Sequence, residues 1–150
     1  PMNPRHFGIV LAMTLVSGCY HSLAPSIGYT LDHGLTYGMS YSGGYGYAGT
    51  NSGFVHRPSK AGGGSENIGY TTLALSTLGV VEAGAGVGVD NQGRTRFAGI
   101  VNGLPIKPIR FLDNEPNIRF SPTVGVRYLG EAMEFYFSPR LYFVDTGGRH

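Results

Sequence analysis

The stretch Asn117 to Val144, NIRFSPTVGVRYL-GE-AMEFYFSPRLYFV, limits what this chain can fold into more than any other part of it. On its first arm Ile118, Phe120, Pro122, Val124, Val126 and Tyr128 share one face, opposite Asn117, Arg119, Ser121, Thr123, Gly125 and Arg127. On its second arm Met133, Phe135, Phe137, Pro139, Leu141 and Phe143 alternate with Glu134, Tyr136, Ser138, Arg140 and Tyr142. Alternation with a period of two marks strands with two different surroundings. Gly130-Glu131 fits a two-residue hairpin turn, which fixes the register so that paired residue numbers sum to 261. Arg127 then faces Glu134 on the polar side, and Val124 faces Phe137 on the apolar side. A slip of one residue would set apolar against polar along the whole ladder.

The rest of the chain repeats this pattern more quietly. In Gly34 to Ala48 the residues Leu35, Tyr37, Met39, Tyr41, Tyr45 and Tyr47 form a bulky face. The other face is Gly, Ser, Thr and Ala, as in strands of small barrels. Residues 68 to 90 are rich in Thr, Val and Gly and favour strand, with a break near Gly79 or Glu82. Asn91-Gln92-Gly93 reads as a three-residue hairpin turn with Gly93 at the left-handed position. That register sets Asp90 opposite Arg94 as a closing charge pair, and Val87 opposite Phe97. Residues 20 to 33 read as a short tether with a first short strand from Ile27 to Leu31, and 49 to 67 as a long loop. Pro105 and Pro108 point to an edge, a bent strand or a crossing loop, and Asp113 to Pro116 to a turn. After residue 20 no segment of helical length has a clean period of 3.6.

Composition agrees with a surface that does not all meet water. Charged residues make up 13% of the chain, against about 25% in ordinary globular domains. The net charge of +2 is too small to argue for nucleic acid. From residue 90 onward eight basic residues are accompanied by six acidic ones, so no basic tail stands out.

The N-terminal PMNPRHFGIVLAMTLVSGC has the anatomy of a secretory signal. Arg5 and His6 give a positive start, and Phe7 to Val16 an apolar run of ten residues, short of the ~20 that a spanning helix needs. The ending Val16-Ser17-Gly18-Cys19 resembles the bacterial lipobox. The resemblance implies cleavage between Gly18 and Cys19, acyl chains on Cys19, and a membrane partner reached through those chains. In lipoproteins of the enterobacterial type an Asp after the Cys retains the protein at the inner membrane. Tyr20 stands there instead, which implies the outer membrane.

Motifs that would carry chemistry are weak. Gly44, Gly46 and Gly49 match G-x-G-x-x-G, but a Tyr-rich strand runs through the match, so a nucleotide site is not expected. His33 and His56 have no ligand spacing, and Asp32-His33 has no positioned serine elbow to serve. Glu82, Glu131 and Glu134 could make an acid pair, but Glu131 fits a turn residue and Glu134 a cross-strand partner of Arg127. Tyr37, Tyr41, Tyr45 and Tyr47 could stack on sugars or bases, but aromatic packing on a sheet face or against lipid explains them.

These observations give an all-β chain. The expectation is an antiparallel meander closing into a small barrel of about six to eight strands, after an N-terminal helical signal segment. Residues 1–18 are the signal, 19–33 a lipidated tether and 34–150 the barrel-like domain. The expected role is that of an outer-membrane lipoprotein, structural or envelope-related, with no catalysis, no metal and no cofactor. The alternative is a β-sandwich or lipocalin-like barrel in the periplasm or at the cell surface, anchored by lipid alone and binding an envelope protein or a small apolar ligand. The two differ in whether Phe135, Phe137 and Phe143 meet lipid or a protein core. Outer-membrane barrels usually end on an aromatic residue, whereas Val144 to His150 follow Phe143 here, which speaks for the alternative or for a natural chain that runs on.

Overall fold

A computed structural model describes residues 20–45, 48–58, 64–77, 81–103, 109–112 and 115–144. The signal segment with Gly18 and Cys19, the stretch holding Pro105 and Pro108, Tyr47 and residues 145–150 lie outside them. Among the described residues there are nine strands: β1 Tyr20–Thr30, β2 Gly34–Tyr45, β3 Ala48–Arg57, β4 Glu66–Thr77, β5 Val81–Asp90, β6 Thr95–Gly103, β7 Ile109–Leu112, β8 Glu115–Leu129 and β9 Ala132–Val144. No helix occurs among them.

Eight strands close into a barrel. From β1 to β6 each strand pairs antiparallel with the next, β6 pairs with β8, β8 with β9, and β9 with β1. Short β7 lies along the first part of β8, with Ile109 opposite Phe120, while β6 takes the later part, Gly103 to Ala98 opposite Val124 to Leu129. Closure leaves no long edge open to a second chain.

Both hairpin registers follow the alternation. In β8–β9 Arg127 is opposite Glu134 and Val124 opposite Phe137, with Gly130 in the turn at φ +70°. In β5–β6 Val87 is opposite Phe97, and Gly93 has φ +79°. A left-handed φ is inexpensive only for Gly, which is why those two turns sit where they do. β4 ends at Thr77 and β5 begins at Val81, close to the expected break.

Three stretches differ from their reading, the smallest being Glu115-Pro116, expected in a turn and found at the start of β8. The expected tether is mostly barrel wall: β1 starts at Tyr20 and is paired on both sides. Its inward residues are Ser22, Ala24, Ser26, Gly28 and Thr30, so small that the hydrophobic contrast along the sequence is faint. Pro25 has no N–H to give, and the β1–β9 pairing skips Ala24 to Ser26. The hydroxyl of Ser138 donates to the Pro25 carbonyl there, at 2.6 Å. The expected loop 49–67 contains all but the first residue of β3. Both faces of β3 mix polar and apolar residues, with Asn51, Val55 and Arg57 buried and Phe54 exposed, so no period of two shows.

The barrel has inverted polarity. Ile27, Tyr37, Leu73, Phe97, Phe135 and Phe137 are exposed on its outside. Inside are Ser22, Thr36, Asn51, Glu82, Thr123, Arg127, Glu134 and Arg140, all buried. A smaller apolar cluster of Val55, Ile68, Tyr70, Ala98, Ile100 and Leu129 fills one side of the interior near the turn end. Eight strands enclose a space just wide enough for side chains to fill it. Gly28 shows how tight the fit is. A Cβ there would lie 2.3 Å from Glu134 Oε1 and 2.8 Å from Thr36 Oγ1. Gly28→Ala is therefore expected to destabilise the barrel by about 1–3 kcal/mol through overpacking. Gly69→Ala, whose Cβ would meet nothing within 4 Å, should leave stability nearly unchanged. Urea unfolding of both variants reads the difference.

Candidate functional site in the barrel lumen

The lumen is organised by three arginines that reach across it, each at a different height. Arg57 projects from β3. Its guanidinium donates to Glu66 at 3.3 Å and to the carbonyls of Leu129 and Ala132, at 3.1 and 3.4 Å, on the opposite wall. Arg127 projects from β8. It holds Glu134 with two bonds, Nε to Oε2 at 3.2 Å and Nη2 to Oε1 at 2.8 Å. It also donates to the Tyr70 hydroxyl on β4 at 3.1 Å and to Ser26 Oγ on β1 at 3.4 Å. Arg140 projects from β9 and donates to Glu82 on β5 at 3.0 Å. Glu82 in turn accepts from Asn51 at 3.3 Å, and Asn51 donates to Ser42 at 2.7 Å.

The middle storey is the most complete. Glu134 Oε1 also accepts from Thr36 Oγ1 at 2.6 Å. The Arg127 guanidinium stacks over Tyr136 at 4.6 Å and Tyr70 at 5.4 Å. Arg127 and Glu134 are 1% and 0% exposed at the side chain. A charge this buried is tolerable only when paired and hydrogen-bonded. The sequence supplies that pairing locally, because the turn sets the two residues opposite each other.

Above the middle storey the turn end opens into a cavity of about 460 Å³ lined by Asp32, His33, Arg57, Arg94, Arg96 and Glu131 among others. Asp90 organises its rim. One carboxylate oxygen accepts from the backbone N–H groups of Gln92 and Arg94, both at 2.9 Å. The other accepts from Arg94 Nε at 2.7 Å and Arg96 Nε at 3.4 Å. Arg96 continues to Glu131 at 3.0 Å, tying the β5–β6 hairpin to the β8–β9 hairpin. Gly130 N–H donates to the Phe97 carbonyl at 2.9 Å between the same two hairpins.

Of the residues singled out in the sequence, Arg127 with Glu134 and Asp90 with Arg94 are brought together as ion pairs. Gly18 and Cys19 lie outside the described residues. Glu82 and Glu134 are separate, each spent on its own arginine. His33 sits in the β1–β2 turn, its N–H donating to Thr30 Oγ1 at 2.9 Å. Gly44 and Gly49 face each other across the β2–β3 ladder, an arrangement unlike the strand-to-helix turn that cradles a pyrophosphate. Tyr37 faces outward and stacks on His56, and Tyr41 stacks on and hydrogen-bonds His21. Sequence reasoning missed Arg57, Tyr70 and the Arg140–Glu82 pair. Apart from Glu66, 9 residues after Arg57, their partners lie 57 to 75 residues away along the chain, and no local pattern marks them. The available signal was scarcity: with so few charges, each one on an inward face must find a partner.

No protein-family model matches the chain, and no curated protein matches it in sequence. Solved structures share its fold. One, described as "De novo design of transmembrane beta-barrels", superposes with a TM-score of 0.62 at 11% identity, over 84% of this chain and 97% of that one. Another, "Solution NMR structure of de novo designed TMB2.3", gives a TM-score of 0.53 at 10% identity, over 86% and 96%. The chain is a small closed antiparallel barrel like these.

Removing one partner of the middle storey leaves the other as an uncompensated buried charge. Glu134→Leu or Arg127→Met alone is expected to cost about 3–5 kcal/mol. The double change Arg127→Met with Glu134→Leu should recover most of that loss. A thermodynamic cycle from urea titrations checks it, and purely additive losses would contradict the paired geometry.

Proposed function

We propose that this chain is a membrane-spanning β-barrel of the bacterial outer membrane with a structural or envelope role and no catalysis. The observation that carries the reading is the inverted polarity: aromatic and aliphatic side chains outside, ionic side chains within. On β9 the outward residues Met133, Phe135, Phe137, Leu141 and Phe143 cover ten residue steps. At ~3.3 Å per residue and a tilt of ~40° this is ~25 Å of height, the usual thickness of the apolar band on such barrels. Tyr29 and Tyr128 lie toward the turn end of that band, and Tyr41 with His21 toward the other end, as interfacial aromatic belts do. In water the same surface would be one large exposed apolar patch, which soluble monomers avoid. The Arg127–Glu134 storey crosses the lumen with every polar atom bonded, which supports a closed wall element rather than an open pore. Both similar structures are de novo designs, and one is described as a transmembrane β-barrel, which agrees with this reading.

The lipid anchor belongs to the same proposal. Cys19 directly precedes β1 in the sequence, and β1 begins at Tyr20, opposite Val144 of β9. Cys19→Ala should abolish palmitate labelling, and unchanged labelling would refute the anchor.

The membrane reading is tested on the full chain. It should need detergent to stay monodisperse. It should also run faster on a gel when unheated in detergent than after boiling. A monomer soluble without detergent would overturn it in favour of a lipid-anchored soluble domain.

A further inference from the structure

The three storeys of the lumen differ in how completely their polar atoms are bonded. In the middle one, every polar atom of Arg127 and Glu134 has a partner. Below it, Asn102 is 2% exposed, and neither its amide nitrogen nor its oxygen has a partner. Thr123 Oγ1, Asn51 Oδ1, Ser22 Oγ and Arg140 Nε are buried and unpartnered as well. These atoms belong to one region. Asn102 is opposite Glu82 on β5, Thr123 is opposite Ser138 on β9, and Asn51 reaches the same Glu82 that Arg140 holds.

A buried amide left without a partner costs free energy comparable to a lost hydrogen bond, per atom. Several such atoms in one place point to a bonding partner the chain does not itself supply. The unpartnered set contains donors (Arg140 Nε, Asn102 Nδ2), acceptors (Asn51 Oδ1, Asn102 Oδ1) and hydroxyls able to be either. Glu82 cancels the charge of Arg140, so the region offers no net charge to an ion. The surrounding inward residues Ser22, Ser42, Thr123 and Ser138 are small and hydroxyl-bearing.

We propose that the lower lumen around Asn102, Thr123 and Arg140 is a binding site for small neutral hydrogen-bonding molecules, water foremost, roofed by the dry Arg127–Glu134 storey. A water there meets the usual requirement of two to four polar partners. The lumen is then wet below the Arg127–Glu134 storey and open to the polar cavity above it, which makes that dry middle storey the barrier to permeation. The inference needs only the closed lumen. A barrel that proved soluble without detergent would overturn the membrane reading and leave this one standing.

Water itself is the probe. In the full chain, labelled with nitrogen-15 and folded, NOEs from water are recorded at side-chain N–H groups. The Asn102 amide hydrogens and Arg140 Nε–H should show cross-peaks with the sign of a long-lived bound water, and Arg127 Nε–H should show none. Asn102→Leu should abolish the cross-peak at Arg140. Thr123→Val serves the same purpose where that variant does not fold. Silent Asn102 hydrogens, an equal cross-peak at Arg127, or an unchanged Arg140 in the folded variant overturns the proposal.

Discussion

The structure depends on burying the Arg127–Glu134 ion pair within its own hydrogen-bond shell. An outward apolar face is possible only if the polar faces of all eight strands turn inward, and those faces carry charges. Unpaired, each would oppose closure by several kcal/mol. Paired and bonded to Thr36, Tyr70 and Ser26, they become contacts that only the closed barrel offers. Strands β1, β2, β4, β8 and β9 all supply an atom to this one cluster, so it also reports whether the circle has closed.

Arg57 and Arg140 extend the same logic above and below. Each leaves one wall and ends on a distant one, Arg57 on backbone carbonyls and Arg140 on Glu82. The small inward residues are the counterpart of these long ones. Gly28 leaves the space that the Glu134 carboxylate occupies, and Gly125 lies where a Cβ would come within 2.6 Å of Asn102 Oδ1. An eight-stranded interior cannot hold three crossing arginines and bulky neighbours at once. The abundance of Gly, Ser and Thr on inward positions follows from that.

Legibility in the sequence tracked contrast. β8 and β9 alternate large apolar with polar residues, so strands, turn and register were all readable, Arg127 opposite Glu134 included. The Asp90–Arg94 pair was readable for the same reason, because a short turn fixes the neighbours. β1 and β3 were not. On β1 the inward residues are small and Pro25 looks like a breaker, while on β3 both faces are mixed. Neither forms a strand on its own merits. Each is held by a ladder on both sides, which local propensity does not report.

By itself the sequence determined the fold class, two hairpin registers and which face of each strand is apolar, because these depend on side-chain period and turn chemistry within a few residues. It could not determine which face points inward, since alternation is symmetric between a core and its surroundings. Closure between β6 and β8 and between β1 and β9 decided that. It turned the Phe-rich face of β9 outward and gathered Arg57, Tyr70, Glu82 and Arg140 from distant strands. Contacts across a lumen are set by strand number and stagger, which no local stretch of the chain encodes.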